Sequence, residues 1–140
     1  MSRVLKDWIT RYLDFVENTE PSLLYKEWTA ISVVAAALQR KCYLPWGHLT
    51  FYPNMYIVLV GPPGSRKNTA MDTGHNFLRD ANIKLAADAV TRAGLVQELD
   101  AAQHAELSDK GLKVHASLTV FSEELSVFFG YDERQMVAVF

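Results

Sequence analysis

Met55-Tyr56-Ile57-Val58-Leu59-Val60-Gly61-Pro62-Pro63-Gly64-Ser65-Arg66-Lys67-Asn68-Thr69 is the stretch on which the fold turns. Its first six residues are continuously apolar and rich in β-branched side chains. That pattern predicts a strand covered on both faces, as in a parallel sheet. Two glycines and two prolines then end the run, and a helix is expected from Lys67 to about Asp80. A buried strand, a glycine loop and a helix thus follow one another without a spacer.

The order matches the phosphate-loop pattern G-x-x-x-x-G-K-[ST] between a strand and a helix. Such a loop needs small residues whose backbone N–H groups curl round an anion. It also needs a helix N-terminus aimed at that anion and a lysine for the β/γ oxygens. The nucleotide-binding candidates are therefore Gly61, Pro62, Pro63, Gly64, Ser65, Arg66, Lys67, Asn68 and Thr69. Two positions depart from the pattern. Arg66 replaces the second glycine, at a cost of roughly 1–2 kcal/mol if that position takes a positive φ. A contact between its guanidinium and phosphate would recover this cost. Asn68 replaces the magnesium-binding hydroxyl, with Thr69 available for part of that role. The plain alternative is a Gly-Pro turn leading into a helix with a surface lysine.

An acidic partner is expected at the end of a neighbouring strand. Leu118-Thr119-Val120-Phe121-Ser122-Glu123-Glu124 supplies one. Glu123 is the expected magnesium-shell carboxylate, beside Asn68 and Thr69. Glu124 is the expected general base, acting on the attacking water with Lys67 at the phosphate. A register one residue earlier would give those roles to Ser122 and Glu123. Alternatively both glutamates cap a following helix. The expected cofactors are ATP and Mg2+.

Around this core the chain reads as follows. Val4, Leu5, Trp8, Ile9, Tyr12, Leu13 and Val16 recur at helical spacing with Ser2 as a possible N-cap. Glu20-Pro21-Ser22 breaks that helix, and a second is expected from about Ser22 to Gln39. Lys41 to Trp46 and Leu49 to Tyr52 form a predicted hairpin around Gly47-His48. Residues 1–46 are thus a helical hairpin with a lead-in strand, and residues 47–140 a partial phosphate-loop core. Further strands are expected at Ile83–Ala87 and Ser117–Phe121, with a helix over Thr91–Gln103 that points Leu95, Val96 and Leu99 inward. Ser108-Asp109-Lys110-Gly111 reads as a polar turn. Asp132 to Phe140 starts like a capped helix and stops on apolar residues, which suggests a fragment cut inside a helix.

Composition narrows the classes. Of 140 residues, 49% are hydrophobic and 21% charged, with a net charge of −2 and a pI near 6.1, so no overall basic field points to nucleic acid. Residues 1–70 carry +3 (eight basic, five acidic) and residues 71–140 carry −5 (six and eleven). Cys42 is the only cysteine, which rules out an intrachain disulfide. The apolar run Val33–Leu38 is too short to span a bilayer, and no signal core opens the chain. A soluble, cytoplasmic protein with no membrane partner is expected. His48, His75, His104 and His115 lack metal-ligand spacing. Trp8, Trp28 and Trp46 read as core or hairpin anchors, Phe51 and Tyr52 as sheet packing, and Asp100, His104 and Glu106 as a solvated helix face.

Residues Tyr56 to Thr73 resemble the phosphate loop of phage and mobile-element primase–helicases and related helicase-like ATPases, which carry Arg-Lys in place of Gly-Lys. Asp88 to Leu95 and Phe121 to Ser126 are similar to that group as well, although Glu123 stands where it would have Asp. The resemblance implies an α/β three-layer P-loop NTPase core, here partial and preceded by the helical hairpin. It also implies an ATP-driven role in phage DNA replication in a bacterial host cytoplasm, DNA as partner, and a homo-oligomer at full length. Two other classes compete. A small-molecule phosphotransferase would need a lid of arginines, for which Arg79 and Arg92 are sparse. A non-hydrolysing binding or assembly module would carry Arg66 and Asn68 as marks of a decayed site.

Overall fold

The computed structural model describes residues 7–86, 92–108 and 111–124. It divides into two compact units, Met1–Ala81 and Asn82–Phe140. The Gly61–Arg66 loop and the helix after it therefore belong with the two leading helices.

In the first unit, α1 (Trp8–Phe15) starts later than the spacing suggested. Asp7, rather than Ser2, is its N-cap. The Asp7 carboxylate accepts from the Thr10 amide (2.9 Å) and the Thr10 hydroxyl (2.7 Å), satisfying an otherwise orphan helix-end donor. Pro21 separates α1 from α2 (Leu23–Leu38), as expected, and Gln39 ends α2 at a positive φ of 51°. A third helix, α3 (Lys67–Asp80), packs against α2 and buries Ala70, Gly74 and Leu78, spaced four apart on one face. Tyr12, Val16 and Ala30 form the core where α1 meets α2, with Ile9, Leu13 and Phe77 against it. Phe77 of α3 meets the rings of Trp8, Tyr12 and Phe15 at 5.6–5.7 Å between centroids, distances typical of tilted and edge-to-face aromatic pairs. Lys26 is buried as well. Its ammonium donates to the carbonyls of Thr19 (2.9 Å) and Glu17 (3.3 Å), clamping the turn between the helices.

The expected hairpin is present as β1 (Leu44–Trp46) and β2 (Leu49–Phe51), antiparallel with Leu44 opposite Phe51 and Trp46 opposite Leu49. All six residues are exposed, so Trp46 and Phe51 are not packing anchors within it. Tyr52 meets the Tyr43 ring and carries the Arg40 guanidinium 4.6 Å above its face.

Met55–Val60 differs most from expectation. It enters no β-ladder with the described residues, and Val60 is 81% exposed. A β-branched run becomes a strand only where a neighbouring strand takes up its backbone groups, and no described strand of its own unit pairs with it. Tyr56–Val60 instead line, with Leu24, Tyr25 and Trp28 of α2, a groove of about 380 Å³.

In the second unit, β3 (Leu85–Ala86) and β6 (Thr119–Val120) coincide with the two later predicted strands, though each is only two residues long. They pair in parallel, Leu85 with Thr119 and Ala86 with Val120. Between them run α4 (Arg92–Ala101), β4 (Gln103–Ser108) and β5 (Gly111–Ala116). Leu95 of α4 is buried as expected, whereas Val96 is half exposed. The helix stops two residues short of Gln103, and a hairpin replaces its predicted end. His104 and Glu106 therefore lie on a strand, not on a helix face. His104 pairs with His115 across the ladder, their rings 6.1 Å apart. Ser108 stands opposite Gly111 at one end of this ladder, while Asp109 and Lys110 of the predicted turn lie outside the described residues. The expected segments at Asp88–Thr91 and Asp132–Phe140 lie outside the described residues.

Candidate functional site

The loop from Gly61 to Arg66 is a tight curl with a definite cause at each step. Ser65 donates its amide to the Pro62 carbonyl (3.3 Å), closing a four-residue turn. Pro63 and Gly64 hold its central positions, and Gly64 has φ +78°. Proline followed by a positive-φ glycine is the requirement of a type II turn. Arg66 then takes φ +60°, ψ +28°, the left-handed region, as N-cap of α3. The glycine position of the pattern thus does demand a positive φ, and an arginine meets it at a conformational cost.

Lys67 points back into the curl. Its ammonium donates to the carbonyls of Gly61 (3.0 Å) and Pro62 (3.2 Å) and to the Ser65 hydroxyl (3.2 Å). All three of its N–H bonds are used, so one cation fastens both ends of the loop. The Arg66 side chain gives no capping bond to the first amides of α3, where Asn68 and Thr69 lie exposed in the first turn. The loop thus closes on the Lys67 ammonium at the positive N-terminal end of α3, two positive features suited to an anion.

Arg66 does not reach into the curl. Its Nε lies 2.6 Å from the Glu20 carboxylate, both side chains largely exposed. Sequence reading missed Glu20, since nothing in a turn before Pro21 marks it as a neighbour of residue 66. It also missed Tyr25, whose hydroxyl donates to the Val60 carbonyl (3.0 Å) at the mouth of the loop.

The acidic pair lies in the other unit. Glu123 and Glu124 follow β6 and are exposed, and the Ser122 hydroxyl donates to the Glu124 carbonyl (3.0 Å). A parallel strand does lead directly into them, as expected of a carboxylate at the C-terminal end of a sheet strand. The structure places Gly61–Arg66 in one loop that runs into Lys67, Asn68 and Thr69 in the first turn of α3, while the glutamates belong to the other unit. No group of three metal-ligating side chains occurs among the described residues. No helix among them is long and apolar enough to cross a membrane.

No family model, curated protein or solved structure matches this chain. The likeness to replication ATPases rests on the three motifs quoted above.

Proposed function

We propose that the chain is the nucleotide-binding module of a P-loop ATPase, working in a homo-oligomeric DNA replication helicase or primase–helicase. One observation carries the reading: the Gly61–Thr69 loop curls round the Lys67 ammonium at the start of α3. On binding, Lys67 exchanges its loop acceptors for the β/γ oxygens of ATP, which the loop N–H groups hold as well. Asn68 and Thr69 would hold Mg2+ at the loop, and the motif resemblance adds Glu123 of the second unit to its shell; the metal would neutralise charge on the phosphates. Glu124 accepts the proton of the attacking water. DNA and the oligomer enter through the motif resemblance alone.

A second reading has its own support. Arg66 is held by Glu20 and not by the loop, which suits a module that binds nucleotide without hydrolysing it.

Thermal unfolding with ATP or ADP, with and without magnesium, tests the binding function common to both. At 100 times the dissociation constant the nucleotide adds about 2.7 kcal/mol. Lys67→Ala should remove most of that gain; an undiminished gain in this variant would refute the assignment of the loop.

A further inference from the structure

Gly61 is held from two sides. Its own carbonyl accepts from the Lys67 ammonium, and the preceding carbonyl, of Val60, accepts from the Tyr25 hydroxyl. In a trans peptide the N–H points opposite to the C=O, and the described chain has no cis bond. By fixing the Val60 carbonyl, Tyr25 therefore also fixes the direction of the Gly61 N–H, the first amide of the loop.

The contact explains the glycine as well. Gly61 does not need a positive φ; among the described glycines only Gly47, Gly64 and Gly111 have one. A Cβ built on Gly61 would instead overlap the Tyr25 hydroxyl and press on the Ser65 Oγ at 3.1 Å. Side chains rarely tolerate such an approach, so glycine at 61 is the counterpart of tyrosine at 25. Tyr25 is itself firmly placed. It is buried in α2 next to Lys26, whose ammonium is tied to the 17–19 turn.

We propose that Tyr25 is the positioning residue of the nucleotide loop: its hydroxyl orients the Val60–Gly61 peptide for phosphate and makes residue 61 obligately glycine. The proposal rests on reading Gly61–Thr69 as the nucleotide loop. α2 then acts on the site as well as on the core.

The test measures Mg·ATP affinity by calorimetry, and melting temperature without nucleotide, for the whole chain. Loss of one hydrogen bond in Tyr25→Phe weakens ATP binding about 2- to 10-fold. Gly61→Ala weakens it further. The double variant, lacking the hydroxyl that the new methyl would strike, binds ATP more tightly than Gly61→Ala alone. A merely structural tyrosine gives no such recovery, because its loss would add to the damage. Parental affinity in Tyr25→Phe, or a double variant no better than Gly61→Ala, overturns the proposal while wild-type binding leaves the nucleotide reading intact. If Gly61→Ala does not fold, the affinity of Tyr25→Phe decides alone. Wild-type protein that binds no ATP overturns both, even where the melting temperatures retain the coupling between residues 25 and 61.

Discussion

Arg66, in the left-handed region at φ +60°, pairs its Nε with the Glu20 carboxylate at 2.6 Å. An ion pair this exposed contributes about 0–1 kcal/mol, less than the roughly 1–2 kcal/mol that a side chain pays for this backbone conformation. Arg66→Gly should therefore be more stable than Arg66→Ala by about 1 kcal/mol in urea unfolding. Equal stabilities would mean that position 66 is not left-handed in solution. For nucleotide, Arg66→Gly should bind no better than the parent, or slightly worse. A clear gain in ATP affinity would mark Arg66 as the blemish of a decayed loop.

The contrast between Leu78 and Val60 tests the architecture. Leu78 of α3 is fully buried, whereas Val60 is 81% exposed. Leu78→Ala should cost about 2–5 kcal/mol. Val60→Ala should stay within about 0.5 kcal/mol, as surface changes do. A multi-kcal loss at Val60 would restore the covered strand that its sequence predicts.

Those two residues also show what the sequence could and could not reveal. The loop was legible because Pro63-Gly64 and Lys67 act through local geometry, which neighbours in the chain dictate. The α1–α2 hairpin was legible for the same reason: Pro21 breaks the helix and the apolar residues keep helical spacing. Met55–Val60 was misread because an apolar run states that something should cover it, not what does. The β4–β5 hairpin was missed by extending a helical period into Gln103–Ser108. The alternation of Leu112 and Val114 with Lys113 and His115, after a polar turn, was the available warning. Glu20 and Tyr25 carry no local mark, since their roles arise only when α2 packs beside the loop.

Tyr12 makes a pH prediction. Its hydroxyl is buried without a hydrogen-bond partner among the described residues, and desolvation pushes its phenol up from 10.0 to about 12. Below pH 10 the phenol is neutral in both folded and unfolded chains, so its contribution does not change with pH. Between pH 10 and 12 the unfolded chain ionises first and binds fewer protons, so stability falls, by up to about 2.7 kcal/mol. Tyr12→Phe should match or exceed the parent at pH 7 and lose less stability between pH 9 and 11. Parallel losses in the two proteins would mean that the hydroxyl reaches water.

The catalytic assignment separates Glu123 from Glu124, which stand together after β6. A base acts mainly in the transition state, so Glu124→Gln should lose turnover and keep nucleotide affinity. Glu123→Gln should instead weaken the magnesium-dependent part of ATP binding. An arginine finger supplied in trans is worth about 10³–10⁵ in rate, so the isolated chain should hydrolyse ATP very slowly. The comparison is made with DNA present, under conditions in which the proposed homo-oligomer assembles. If Glu124→Gln there turns over at the parental rate while Glu123→Gln is dead, the base lies one residue earlier and Ser122 takes the metal-side position. If both variants remain fully active, the two glutamates serve only as helix caps. If both lose turnover but only Glu123→Gln loses magnesium dependence, Glu124 is the base and Glu123 its metal-holding neighbour.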